Sequence, residues 1–480
     1  MTDVARRSDG VRPLLDADRG GFVERHGLWD DAAYAAAAQI RRVVDERGLE
    51  LVRVVFCDQH GVLHGKTFTR DAFWGVLRSG CTVPSSLLLK DTSGRSVYPV
   101  FSPGGGIGVP GLGGAGDVVL VPDPTTFRVL PWASRTGWVL CDLRFPDGAD
   151  VPLSTRGIAR RVLGRLGERG YDLTVGVELE FHVLRADDPT PLTPGMRLLH
   201  ETDLDAFDDV VQVLHGALTA LDLPLRSIEL EFGASQLEIT LAPRPALASA
   251  DTVVLARSAI RQVCRRQGFR ATFMSRPLGA AVSSGWHLHQ SLVERGSGQN
   301  AFMPEQYGEP LSPLGRHYLA GLLRHAPAAS VFTTPTINGY KRYQRLSLAP
   351  DRIVWGVDNK GAMIRALGGA EDPATRLESR SGEPAANPYL YVASQVISGL
   401  AGIDGALDPG PPTESPYDED VQRLPPDLAD ALDALDADAV FAQALGPEVV
   451  DWILTLKRAE VARYRAEVSE WEQREYADLF

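Results

Sequence analysis

Four cysteines in 480 residues, Cys57, Cys81, Cys141 and Cys264, lie too far apart to form a CxxC pair. That spacing excludes a thiolate zinc site or a dithiol redox motif, and isolated free thiols suit a reducing cytosol. No uncharged apolar run approaches the roughly 20 residues that a membrane-spanning helix needs. The first residues, MTDVARRSDGVRPLLDADRG, carry charge throughout and have no apolar core, so they do not read as a secretory signal. Positive charge is also in short supply: 49 Lys and Arg against 62 Asp and Glu leave a net charge of −13. Nucleic acid and anionic membrane are therefore poor candidates for the main partner. A phosphate loop is missing as well. GVLHGKT, residues 61–67, is one residue short of the P-loop spacing and sits in a predicted hairpin instead of between strand and helix. These absences describe a cytoplasmic protein.

What is present is ordinary globular composition, 44% apolar and 23% charged, in a chain too long for one core. Ala, Ile and Val recur at helical spacing from Asp30 to Arg47, with Asp30 or Asp31 as the cap. Leu51–Cys57 and Val62–Phe68 flank a polar turn and predict a β-hairpin, and GDVVLVPDPTTFRVLPW and GWVLCDLRF add short strands. A small, mostly β domain ending near 150 follows. From Thr155 onward strands alternate with helices, and the tail from Pro426 to Phe480 is helical. The pattern predicts an α+β catalytic domain of residues 151–480, after an N-terminal extension and helix (1–44) and the β domain (45–150).

One stretch of that region is electrostatically odd. In GVELEFHVL, residues 176–184, strand alternation puts Glu178 and Glu180 on one face and Val177, Leu179 and Phe181 on the other. One such pair reads as the wet face of a strand. The pattern recurs, however. Glu229 and Glu231 share a face in IELEFGASQLEITL, with Glu238 seven residues further on. His287, His289 and Ser291 share one in WHLHQSL, and Arg376, Glu378 and Arg380 one in TRLESR. The opposite faces stay apolar, so solvation alone does not account for the set. Several carboxylates with an imidazole favour a hard divalent ion, Mg2+ or Mn2+. Arginines add planar forks for carboxylate or phosphate. Metal and arginine without a covalent nucleophile point to phosphoryl transfer. HxH alone would also suit a cupin-like barrel, but the helical tail and the number of carboxylates argue against it.

These motifs, in this order over residues 45–480, resemble the glutamine synthetase family, class I-like. The resemblance implies a β-grasp domain followed by a catalytic domain with a curved antiparallel sheet and flanking helices. It also implies a homo-dodecamer with active sites between subunits, and ATP-dependent amide formation through a γ-glutamyl phosphate. By the same resemblance Glu178, His287 and Glu378 would hold one metal, and Glu180, Glu231 and Glu238 the other. His289, Ser291 and Arg376 would contact the nucleotide, Arg342 and Arg380 the acid substrate, and Arg365 the transferring phosphoryl group. EPAANPYLY and VSEWEQREY resemble structural signatures of the family.

The departures concern the amine. Where glutamine synthetases have PGYEAP, with a glutamate that closes on ammonium, this chain reads RLSLAP, with Leu348 at the glutamate position. The aspartate of DGSS has no match in GCTVPSSLLLKD. Ammonium needs carboxylates to bind and deprotonate it, so the expected substrate is an organic amine with an apolar substituent. An alkylamine or arylamine fits; a polyamine would need Asp91 or Asp351 near the pocket. On the acid side, Val282-Ser283 replaces an Asn-Gly pair and Lys360 replaces a clamp arginine, keeping the charge but not the fork. Glutamate remains the expected acid. The alternatives are a glutamine synthetase using ammonium and a non-catalytic structural or regulatory member.

Overall fold

The computed structural model describes residues 20–480 apart from 103, 104, 106, 189, 280, 281, 345–347, 418 and 419. Of the expected N-terminal extension, residues 1–19 lie outside the described residues. The helix Asp31–Glu46 follows, with the Asp30 side chain accepting from the Ala33 N–H, and buries Ala37, Ile40 and Val44 in the main core.

The strands form two sheets. The smaller contains β1 (Leu51–Cys57), β2 (Leu63–Thr69), β3 (Cys81–Pro84), β4 (Asp117–Pro122), β5 (Arg128–Val129) and β6 (Thr136–Arg144), in the order β2-β1-β6-β4-β3 with β5 on β6. β1 and β2 form the expected hairpin, pairing Leu51 with Thr69 through Cys57 with Leu63. In its turn the Asp58 carboxylate accepts from the His60 and Val62 N–H groups, each at 2.8 Å. Gly61, at φ +74°, packs so closely that a Cβ there would lie 2.8 Å from the Arg257 guanidinium and 3.1 Å from Asn387 Cα. The rejected phosphate loop is thus a docking turn.

The larger sheet contains β7 (Tyr171–Arg185), β8 (Leu225–Leu230), β9 (Gln236–Pro245), β10 (Phe269–Thr272), β11 (Trp286–Glu294), β12 (Trp355–Val357), β13 (Ile364–Leu367) and β14 (Arg376–Ser379). Its order is β12-β13-β14-β11-β7-β9-β8, with β10 on β7, and every pair is antiparallel except β12 with β13. β7 is central and buried almost throughout. Val177, Leu179 and Phe181 belong to the main core, to which the helices Thr155–Glu168, Ala246–Arg266 and Pro388–Asp404 contribute. The architecture is α+β. No single helix among the described residues is long and apolar enough to cross a membrane.

One buried ion cluster ties the small sheet to these helices. Arg156, on the helix Thr155–Glu168, reaches Asp123 at 2.7 Å, Asp142 at 2.9 Å and Asp251 at 2.8 Å. Asp251 also accepts from the Tyr389 hydroxyl at 2.7 Å. Burial would raise the Asp142 carboxyl, but Arg156 and Arg160 outweigh it and hold it below its ordinary value. A second tie runs through Asn387 of EPAANPYLY. Its oxygen caps the helix Pro388–Asp404, and its amide donates to Asp58 O at 2.8 Å.

Removing one member of a buried charge cluster strands the others. Arg156→Ala is expected to cost about 3–5 kcal/mol in urea unfolding, with Arg156→Lys intermediate because it keeps the charge and loses the fork. An unchanged urea midpoint for Arg156→Ala would show that the cluster contributes nothing net.

Candidate active site

Cross-strand register, more than sequence spacing, assembles the site. Opposite Glu178 on β7 stand His287 on β11 and Thr240 on β9. Opposite Glu180 stands Glu238, which in turn faces Glu229 on β8. Opposite Glu378 on β14 stand His289 and Arg365. Adjacent rungs therefore bring side chains from β13, β14, β11, β7, β9 and β8 onto one face.

Two cavities open on that face and meet at Glu178 and Thr240. The first, of about 310 Å³, is lined by Glu178, Glu180, Glu231, Glu238 and His287, and by Ser283, Arg342, Leu348, Lys360, Arg365 and Arg380. The second, of about 560 Å³, is lined by Glu178, His289, Ser291 and Arg376 together with Arg226 and Thr240. Glu378 is fully buried behind them. Both volumes lie within the range of small-molecule sites.

The carboxylates divide into two electrostatic kinds. Glu378 is compensated within the chain: Arg380 donates to it at 2.5 Å and Arg365 at 2.8 Å. Burial would raise its carboxyl, but His287 and Arg380 outweigh that and bring it down to about 2. Glu178 is likewise held below its ordinary value despite burial, by His287 at 2.9 Å and His289 at 2.8 Å. Glu180, Glu231 and Glu238 behave oppositely. Burial is the main cause raising all three above the usual carboxylate range, and mutual repulsion adds to it. Glu180 still accepts from the Gly285 N–H at 2.8 Å and the Gln236 amide at 2.6 Å, which keeps it in place.

A buried cluster of mutually repelling oxygen donors fits a hard divalent cation, because the cation removes the repulsion that otherwise favours protonation. Ligand atoms of Glu178, Glu238 and His287 lie within 4.8 Å of one another, as do those of Glu178, His289 and Glu378. His289, expected at the nucleotide, thus stands among the metal-ligating groups while lining the second cavity. His287 lies between the two sets, 3.7 Å from Glu378 and 3.8 Å from Glu180. β8 ends at Leu230, and Glu231, directly after it, lines the first cavity with Glu229 and Glu238 while its carboxylate accepts from the Phe232 N–H.

Other residues of the site gave little sequence signal. Asp358, at φ +48°, orients Arg365 through the guanidinium Nε at 3.0 Å. Arg226 faces the second cavity from β8. Leu198 and Leu199 line the first, beside Leu348. Asp91 accepts from the Ser93 and Arg95 N–H groups and pairs with Arg463, and Asp351 pairs with Arg352. Neither aspartate lines the cavity.

The model of the glutamine synthetase catalytic domain matches residues 152–476. The chain is 42% identical over 494 residues to a γ-glutamylanilide synthase of an Acinetobacter species, covering 95% of this chain and 99% of that protein. It is 34% identical over 381 residues to a glutamine synthetase of Halobacterium salinarum, covering 76% of this chain and 84% of that protein. Its structure superposes on that of apo GmaS without ligand with a TM-score of 0.79 at 30% identity, covering 91% of this chain and 98% of the other.

The two kinds of carboxylate should respond oppositely to deletion. Glu238→Ala is expected to weaken Mn2+ binding at least about tenfold while leaving the metal-free protein equally or more stable, since a repelling charge is gone. Glu378→Ala is expected to destabilise the metal-free protein by about 3–5 kcal/mol, because the buried Arg380 loses its counter-charge while Arg365 keeps only Asp358. Calorimetric Mn2+ titration and thermal unfolding check both; equal destabilisation by the two substitutions would refute the division.

Proposed function

The chain belongs to the glutamine synthetase family, and we propose that it joins the γ-carboxyl of glutamate to an organic amine, using ATP and Mg2+ or Mn2+. The observation that carries this reading is the meeting of the two cavities at Glu178: one side suits a nucleotide, the other an acid and an amine. Its likeness over nearly the full length to a γ-glutamylanilide synthase supports it.

In this reading Glu178, Glu180, Glu231, Glu238, His287 and Glu378 hold the metals. A divalent ion bound there would neutralise charge on phosphate oxygens. His289, Ser291 and Arg376 hold the nucleotide; Arg376 already donates to the His289 ring at 3.1 Å, which sets its direction. Arg342 and Arg380 clamp the acid, with Ser283 beside them. Arg365, fixed between Glu378 and Asp358, faces the transferring phosphoryl group together with Lys360 and steadies the charge on it. The γ-carboxylate takes the phosphoryl group from ATP. The amine nitrogen then attacks the acyl carbon, the bond from that carbon to the phosphate oxygen breaks, and the nitrogen's proton passes to the departing phosphate. With Leu348 at the pocket, that position offers a cation no partner, which favours an amine that arrives neutral.

Residues 45–150 are read as the β-grasp domain and 151–480 as the catalytic domain of a cytoplasmic homo-dodecamer. Exposed Val468, Trp471, Leu479 and Phe480 at the C-terminal end support an assembled state.

Phosphate release at fixed ATP, Mg2+ and glutamate, screened over ammonium, methylamine, putrescine and aniline, tests the function. Amines with an apolar substituent should exceed ammonium in kcat/KM; ammonium winning would return the protein to glutamine synthesis. No release with any amine would favour a non-catalytic role. Leu348→Glu is expected to raise the relative kcat/KM of ammonium about tenfold by restoring a carboxylate for the cation.

A further inference from the structure

The loop that follows β7 returns beside the carboxylate site and is strapped there. Met196 N–H donates to Phe232 O at 2.7 Å and Leu199 N–H to Leu230 O at 3.0 Å. Ser235 N–H donates to Thr193 Oγ at 3.3 Å, and Leu192 N–H to Ser235 Oγ at 2.5 Å. Thr193 and Ser235 are buried. These bonds tie the loop to the turn that carries Glu231, so its position is set by the metal-site framework.

What the strap presents is unusual for a soluble protein. Leu198 and Leu199 are 37% and 60% exposed, and both line the cavity that holds the carboxylates. Leu348, from a separate segment, lines the same cavity and is 43% exposed. Leu199 and Leu348 both have left-handed backbones, at φ +55° and +58°. That conformation favours Gly, Asn or Asp, so each leucine is held against its own preference. Packing into the core does not explain this, because the side chains remain open to the cavity. Ligand contact does: an apolar group bound there would cover the leucines while its polar end pointed at the reacting centre.

Resting on the ligase reading above, we propose that the strapped segment Met196–Leu199 is a specificity wall of the amine site, which with Leu348 selects a primary amine carried on a flat apolar ring. The chemistry distinguishes this class from the others. Ammonium and alkylamines are protonated at neutral pH, and a leucine wall offers their charge no partner. A diamine would place its second cation against the same wall. An arylamine is neutral, presents its nitrogen as the nucleophile, and buries a ring face against branched aliphatic side chains. The wall does not line the second cavity and acts on binding of the amine, so its effect belongs in the KM of the amine.

Leu199→Asn is the informative change, because Asn accepts a left-handed backbone and removes only the apolar surface; Leu198→Asn is its companion, and thermal unfolding checks that each variant folds. Phosphate release by the full chain is measured with aniline and with methylamine at saturating ATP, Mg2+ and glutamate. Each variant should lower the aniline-to-methylamine ratio of kcat/KM at least about tenfold, through the KM of aniline. A ratio within about twofold of wild type in both folded variants, below the least that one apolar contact gives, would overturn the wall while leaving the ligase reading intact. Wild-type protein that releases phosphate with ammonium or putrescine but not with aniline would overturn the wall alone, and no release with any of the four amines would overturn the ligase reading and the wall with it.

Discussion

Carboxylates crowded on one buried sheet face set the terms for the rest of the protein. Like charges taken out of water repel one another strongly, and each must find a counter-charge, a hydrogen-bond donor or a proton. The chain supplies the first two unevenly. Arg365 and Arg380 answer Glu378, and His287 and His289 answer Glu178. For Glu180 it offers neutral donors, the Gly285 N–H and the Gln236 amide. The imbalance is directional, running from the arginine side of the sheet to the side that calls for a cation.

Holding that arrangement requires a rigid sheet, and the remaining structure provides one. β7 sits at the centre with partners on both sides, its apolar face in the main core. The Asp58 turn of the small sheet docks on Arg257 and Asn387, while Arg156 binds aspartates from the small sheet and from the helix Ala246–Arg266 at once. The second of these ties is itself a buried charge cluster. Buried ions thus both create the functional strain and anchor the framework that bears it, and they differ in compensation: the anchor is satisfied by protein groups and the site is not.

Polarity within the acid and amine cavity is equally divided. Arginines and carboxylates line one cavity together with Leu198, Leu199 and Leu348, and in the proposed reading the leucines face the nucleophile. A polar clamp can be shared by every member of such a family, because the acid and the phosphate chemistry do not change. In the proposed reading the apolar part is free to differ, because it faces only the nucleophile.

Much of this was legible in the sequence. Strand alternation is a local property, so the doubled carboxylates of GVELEF, the HxH of WHLHQ and the RxExR of RLESR could be placed on faces without knowledge of their neighbours. Leu348 stood out for a different reason, the resemblance of RLSLAP to a family motif that has a glutamate at that place. His289 among the metal-ligating groups, Asp358 behind Arg365, Arg226 at the second cavity and the strapped leucines were not legible. Each depends on which strand lies beside which, on register, or on a loop folding back over a distant turn. By itself the sequence determined the donor chemistry and the faces, because side-chain type and backbone period are carried residue by residue. Only the tertiary structure decided which donors lie within a few ångströms of one another and which leucines line their cavity, because those distances arise across strands far apart in the chain.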